Sequence, residues 1–115
     1  MTRHDDLVRL RHMLDFARKA VAHCQGRTRG DLDDDELLAL AIARLLEVIG
    51  EAAKSVSAEK RAQSTDIPWR EITGTRDRLI HAYPDVNLDI VWQTVTEDLP
   101  QLISALEKLV PPETG

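Results

Sequence analysis

Apolar residues recur along this chain at three- and four-residue steps, a spacing that predicts helices almost throughout. Over residues 5–23 the stripe is Leu7, Leu10, Leu14, Ala17 and Val21. Gly26-Arg27-Thr28-Arg29-Gly30 reads as a flexible loop. The carboxylates from Asp31 to Glu36 suit the start of the next helix, where acids meet unpaired N–H groups and the positive dipole end. That helix is predicted over 33–56, with Leu37, Leu38, Ala41, Leu45, Val48, Ile49, Ala52 and Val56 as a broad apolar face. Residues 57–65 read as a polar connection. Asp66-Ile67-Pro68-Trp69 resembles a helix start with proline in its first turn. The helix is expected to run through Ile72 to about Tyr83, with Gly74 as a weak point and Pro84 as its stop. Asn87 is placed to cap a last helix with the stripe Leu88, Val91, Trp92, Val95, Leu99, Leu102, Leu106 and Leu109. Pro100 falls inside that stripe and predicts a kink or a break.

No strand-like alternation and no repeat interrupts this pattern. The expected fold is all-α: one domain over 1–110, a four- to five-helix up-and-down bundle, with a polar tail at 111–115. A composition 43% hydrophobic but only 3% aromatic suits packed helices better than sheets. The stripes are wide for 115 residues. Either the bundle absorbs them internally, or a homodimer shares a helix face.

The lone Cys24 excludes an internal disulfide and points to a reducing compartment. No apolar run approaches the ~20 residues of a membrane span, and the N-terminus lacks a signal-peptide core, so a cytoplasmic protein without a membrane partner is expected. The net charge of −5 argues against a general nucleic-acid coat. Its distribution is uneven, however. Residues 1–30 carry seven Lys/Arg against three Asp, whereas 31–57 carry two basic residues against seven acidic, and 84–115 one against six. Residues 58–83 are nearly balanced, with five basic and four acidic side chains.

That balanced segment holds the densest chemistry in the chain, Arg76-Asp77-Arg78-Leu79-Ile80-His81-Ala82-Tyr83. It combines a phosphate-binding guanidinium, an imidazole that titrates near neutral pH and a modifiable phenol. Five helical residues subtend about 140°, so Arg76 and His81 do not stack on one face, whereas Asp77 and His81, four apart, are neighbours. Spacing alone leaves two readings open. These are ordinary surface charges with a histidine favoured at a helix C-terminus, or half of a cleft completed by a second subunit.

The run resembles the Arg-x4-His-x-Tyr signature of HepT-like toxins in the HEPN superfamily. Glu47-Val48-Ile49-Gly50-Glu51-Ala52 is similar to that family's second-helix segment. Pro68-Trp69-Arg70-Glu71-Ile72-Thr73-Gly74 is similar to the approach to its motif, and Val91-Trp92 with Asp98-Leu99-Pro100 to its last helix. The resemblance implies a HEPN-like homodimer with both motifs lining a shared cleft. It implies a metal-independent ribonuclease without cofactors, acting on tRNA or mRNA and leaving 2′,3′-cyclic phosphate ends. Such a protein is the toxin of a type VII-like toxin–antitoxin pair, neutralised when a small nucleotidyltransferase antitoxin adenylylates a motif tyrosine. By position, Arg76 and His81 would be the catalytic pair, Asp77 and Arg78 supporting residues, and Tyr83 the tyrosine that is modified. Some relatives carry a further tyrosine where this chain has Arg78, so modification here must fall on Tyr83, its only tyrosine. A non-catalytic nucleotide-binding or docking subunit for a nucleotidyltransferase is the alternative, and a purely structural bundle a third.

The remaining features favour plainer roles. His4, His12 and His23 lack metal-site spacing. Cys24 has no activating base in sequence reach, and the acids at 31–36 point in different directions on a helix and suit capping. Trp69 and Trp92 sit on apolar stripes as core or dimer contacts, and Arg27 and Arg29 are loop cations that can reach phosphates.

Overall fold

The computed structural model describes residues 3–81 and 86–112, except for the side chains at positions 3, 4, 76, 80 and 81. Its first helix, α1 (Arg3–Cys24), buries Leu10, Met13, Leu14, Ala17, Ala20 and Cys24, so the buried side is rotated from the expected stripe and leaves Leu7 and Val21 only half-buried. Burial pushes the Cys24 thiol above its ordinary pKa, which keeps it protonated and unreactive.

The loop expected over 26–30 is shorter than the sequence pattern suggests. Gly26, at φ 74°, turns the chain with a backbone that other residues rarely adopt. A short helix, α2 (Arg29–Asp34), follows at once, closed at its start by the Thr28 N–H donating to Asp31 Oδ2 at 2.8 Å. The acidic run is therefore divided. Asp31 closes α2, and Asp35 caps the next helix by accepting the Leu38 N–H at 3.1 Å. The loop cations are also engaged rather than free. Arg29 Nε donates to Asp89 Oδ1 at 2.7 Å, and Arg27 lies 3.7 Å from Asp35.

The long helix α3 (Glu36–Ser55) occupies the centre, with α1 packed on one side. Its buried side is Ala39, Ile42, Ala43, Leu46, Ile49, Gly50, Ala52 and Ala53. This departs from the predicted face. Ile49, Ala52 and Val56 are buried as expected, but Leu38, Leu45 and Val48 are only half-buried, Ala41 is exposed and Leu37 is 81% exposed. Leu40 is 53% exposed on the same helix. Two neighbouring helices rather than one set the buried side of α3, and the leucine-rich stripe falls at its edge.

The polar connection at 57–65 contains a further helix, α4 (Ala58–Gln63), capped by the Ser57 hydroxyl accepting the Lys60 N–H at 3.2 Å. Then come α5 (Trp69–His81), which packs on α3, and α6 (Leu88–Gln93), capped by Asn87 Oδ1 as the sequence suggests. Pro100 produces neither a clean break nor an ordinary α-turn. A π-turn (Thr94–Asp98) precedes α7 (Leu99–Leu109), and the Leu99 N–H reaches the Thr94 carbonyl. The wider turn places Pro100 in the first turn of α7, where its missing N–H leaves no ladder bond empty. Leu99, Leu102 and Leu106 then remain buried, and α7 packs on α1. The all-α expectation holds, with α1, α3, α5 and the α6–π–α7 run as its long members and α2 and α4 filling connections. Among the described residues no helix is long and apolar enough to cross a membrane.

One polar contact ties the start of α1 to the α3–α4 junction. Asp6, only 7% exposed, accepts the Ser57 hydroxyl at 2.6 Å and the Ser57 N–H at 2.8 Å. These bonds hold the Asp6 carboxyl below its ordinary pKa. The ionised form is thus the stabilising one. Asp6→Ala should destabilise the fold by about 1–3 kcal/mol, since it strands the Ser57 donors. The difference between wild type and variant should be full at neutral pH and shrink as pH falls below about 3.8. Urea melts of both proteins across pH 3 to 7 measure it.

Candidate active site

The motif helix begins where Pro68 allows it. The Ile72 N–H donates to the Pro68 carbonyl at 3.1 Å, opening the ladder, while the Trp69 indole donates to the Ser64 carbonyl at 3.0 Å and fastens the entering strand of chain. Trp69 and Trp92 are both half-buried against the core. From Trp69 the helix runs unbroken through Gly74. Its neighbours brace the turns on either side, Thr73 Oγ1 donating to the Trp69 carbonyl at 3.0 Å and Thr75 Oγ1 to that of Glu71 at 2.9 Å. A Cβ at Gly74 would meet nothing within 4 Å, so close packing does not demand glycine there.

Arg76 and His81 therefore belong to one continuous helix, with Cα positions rotated by about 140°. Their side chains, and all of Tyr83, lie outside the described residues. Their surroundings are partly described. Asp77 Oδ1 accepts from Lys54 Nζ at 2.8 Å, a bridge from α5 back to α3. The pairing of Asp77 with His81 expected from their four-residue spacing lies outside the described contacts. Arg78 is exposed and donates through Nη2 to the buried Thr75 hydroxyl at 3.2 Å.

Beside α5 a cleft of about 390 Å³ separates it from α7. Leu46 and Ile49 of α3, Ile72 and Thr75 of α5, and Leu99 and Leu102 of α7 line it, together with the carboxylates of Asp66, Glu71 and Asp98. The Asp98 side chain is open to solvent, yet the groups packed around it remove enough hydration to raise its pKa, and Glu97 and Glu71 add repulsion. Arg78 pulls in the opposite direction. A cleft lined by three carboxylates disfavours phosphate.

Lys54, Thr75 and Asp98 were not marked by motif spacing. Asp98 carried a sequence signal in Asp98-Leu99-Pro100, and Thr75 bonds to its own helix neighbours Glu71 and Arg78, but Lys54 acquires its role only when α3 and α5 meet.

The family described as Ribonuclease HepT-like matches residues 13–109. A candidate RNase of Caldanaerobacter subterraneus subsp. tengcongensis is 36% identical over 104 residues, covering 90% of this chain and 93% of its own length. A candidate ribonuclease HepT of Thermococcus cleftensis is 44% identical over 75 residues, covering 65% of this chain and 68% of its own. A candidate RNase of Methanocaldococcus jannaschii is 27% identical over 107 residues, 93% of this chain and 98% of its own. No solved structure matches the chain significantly.

The raised pKa of Asp98 makes its charge a burden on the folded state above that pKa. Asp98→Asn should therefore melt at or slightly above the wild-type temperature at pH 7. Any advantage should vanish as pH falls through the ordinary aspartate range, where the wild-type carboxyl becomes neutral. Thermal melts of both proteins at pH 4 and 7 check the sign.

Proposed function

The chain belongs to the HepT-like ribonuclease family, and on that premise we propose that it is a metal-independent endoribonuclease of HEPN type, the toxin of a toxin–antitoxin pair. The family match over residues 13–109, which includes Arg76 and His81 on α5, carries this reading. In it, His81 removes the proton from a ribose 2′-OH as that oxygen attacks the adjacent phosphorus. Arg76 holds the phosphate and stabilises charge building on its non-bridging oxygens. The bond to the 5′-oxygen breaks, and that oxygen leaves with a proton from an imidazolium. The products are a 2′,3′-cyclic phosphate and a 5′-hydroxyl end.

One imidazole cannot begin as both base and acid, which favours a homodimer whose two His81 side chains share the roles. Leu37 and Leu40 on α3 provide apolar surface of the sort a second copy covers. Tyr83 is the control point. A nucleotidyltransferase would move AMP from ATP to its phenolic oxygen, release pyrophosphate and leave an anion that repels RNA. The net charge of −5 favours the second reading, a docking subunit that binds a nucleotidyltransferase without cutting RNA.

His81→Ala should lower the cleavage rate about 10²–10⁴-fold, and Arg76→Ala about 10²–10³-fold, with EDTA leaving the wild-type rate unchanged. Single-turnover assays on labelled RNA measure all three, and unchanged rates in both variants would sink the assignment. Co-production with a neighbouring nucleotidyltransferase should increase the intact mass in AMP-sized steps, and Tyr83→Phe should abolish the increase.

A further inference from the structure

Four of the described arginines in this acidic chain are committed to carboxylates. Arg18 pairs with Glu107, Arg27 with Asp35, Arg29 with Asp89, and Arg44 with Glu47. Lys54 is similarly held by Asp77. On α1, Arg9 and Lys19 have no carboxylate partner among the described residues, although the helix that carries them is the most basic part of the chain. They share one helix face with His12, Phe16 and His23, since the steps of three and four residues from 9 to 23 keep these side chains in register. Along the axis the face is about 21 Å long.

The chemistry of the face is specific. Phe16 is half-buried and packed against the core, so it is fixed from beneath. Lys19 Nζ lies 5.5 Å from its ring centroid, and the His12 ring lies 6.1 Å away, tilted by 49°. His12, Lys19 and His23 are exposed. Two aromatic rings thus lie between two cations, the combination that lets a nucleic-acid strand stack bases while its phosphates meet positive charge. The other side of α1 has no such freedom. Arg11 donates to the Pro111 carbonyl, Arg18 is held by Glu107, and Asp15 lines the same groove. Asp5, a turn before Arg9, is the carboxylate in register with the face, and it stands at one end.

We propose that the Arg9–His12–Phe16–Lys19–His23 face of α1 is an accessory binding track for single-stranded RNA. It rests on the ribonuclease reading for its substrate, but not for its geometry. α3 lies between α1 and α5, so the track is separate from Arg76 and His81 and contributes affinity rather than chemistry. The Lys19 ammonium occupies the ring face that a base would take. Its flexible stem lets it swing to a phosphate and uncover that face as RNA arrives.

The test is the affinity of the full chain for a fluorescent, mixed-sequence 2′-O-methyl RNA 16-mer, which cannot be cut because it lacks the attacking hydroxyl. Arg9→Glu with Lys19→Glu should weaken binding about 10-fold or more and flatten its salt dependence. Phe16→Leu, which keeps apolar bulk but removes the π surface, should weaken it about 5-fold or more. Lys108→Glu, an exposed α7 cation away from the face, should stay within about two-fold of wild type. Circular dichroism confirms that each variant is folded. With unmodified RNA at saturation, the track variants should cleave at the wild-type rate.

Wild-type affinity in the α1 variants would overturn the inference even if cleavage were normal. So would variants that change the oligomeric state at constant RNA affinity, since the face would then be a protein contact. Wild-type protein that binds no RNA overturns the track and leaves the ribonuclease reading to the cleavage assay. Variants that lose binding while wild type cuts no RNA would uphold the track and sink the ribonuclease reading alone.

Discussion

One helix has to be buried on two sides at once, and the rest of this fold follows from how α3 meets that demand. α1 lies against it on one side and α5 on the other. Small residues on its buried side, Ala39, Ala43, Gly50 and Ala53, let its neighbours approach closely, while Ile42, Leu46 and Ile49 fill the space between them. The position of α5 depends chiefly on that contact. Because Arg76 and His81 ride on α5, any change in α3 packing moves the candidate active site. Lys54 and Asp77 close the same joint at the surface, where such a pair adds geometry more than stability.

The opposite end of the core is organised by a proline. Pro100 cannot donate a backbone hydrogen bond, and its ring crowds the carbonyl four residues earlier. The chain absorbs both problems with the π-turn Thr94–Asp98, which widens one turn and keeps the helix path going. Thr94 and Val95 stay buried through that turn, and Leu99, Leu102 and Leu106 continue the buried side beyond it. The turn also delivers Asp98 to the cleft beside α5, where partial dehydration and neighbouring acids act on its carboxyl. A backbone device thus sets the electrostatics on one flank of the motif helix.

Charge follows a similar logic. In a chain with net charge −5, four described arginines pair with carboxylates, and the flexible-loop cations expected at Arg27 and Arg29 prove to be clasps to Asp35 and Asp89. What remains unpaired becomes informative, because a cation left without a partner in an acidic protein is available to an outside anion. That argument separates the two sides of α1, which look alike in composition.

Helix spacing, the caps at Asp35 and Asn87, and the start at Pro68 were all legible in the sequence because each depends on a few neighbouring residues. So was the motif on α5, whose residues are bound by local register. The short helices α2 and α4 leave no trace in the sequence pattern because a six-residue segment has too few apolar positions to show a period. The apolar pattern of α3 includes Leu37 and Ala41, which the fold leaves exposed, because hydrophobicity alone does not say how many neighbours a helix has. The sequence by itself determined an all-helical chain with one concentrated motif, since helix formation and capping are short-range. Only the tertiary structure decided which leucines stay exposed, which arginines remain unpaired and which acids share a cleft, because burial and ion pairing are settled between residues tens of positions apart.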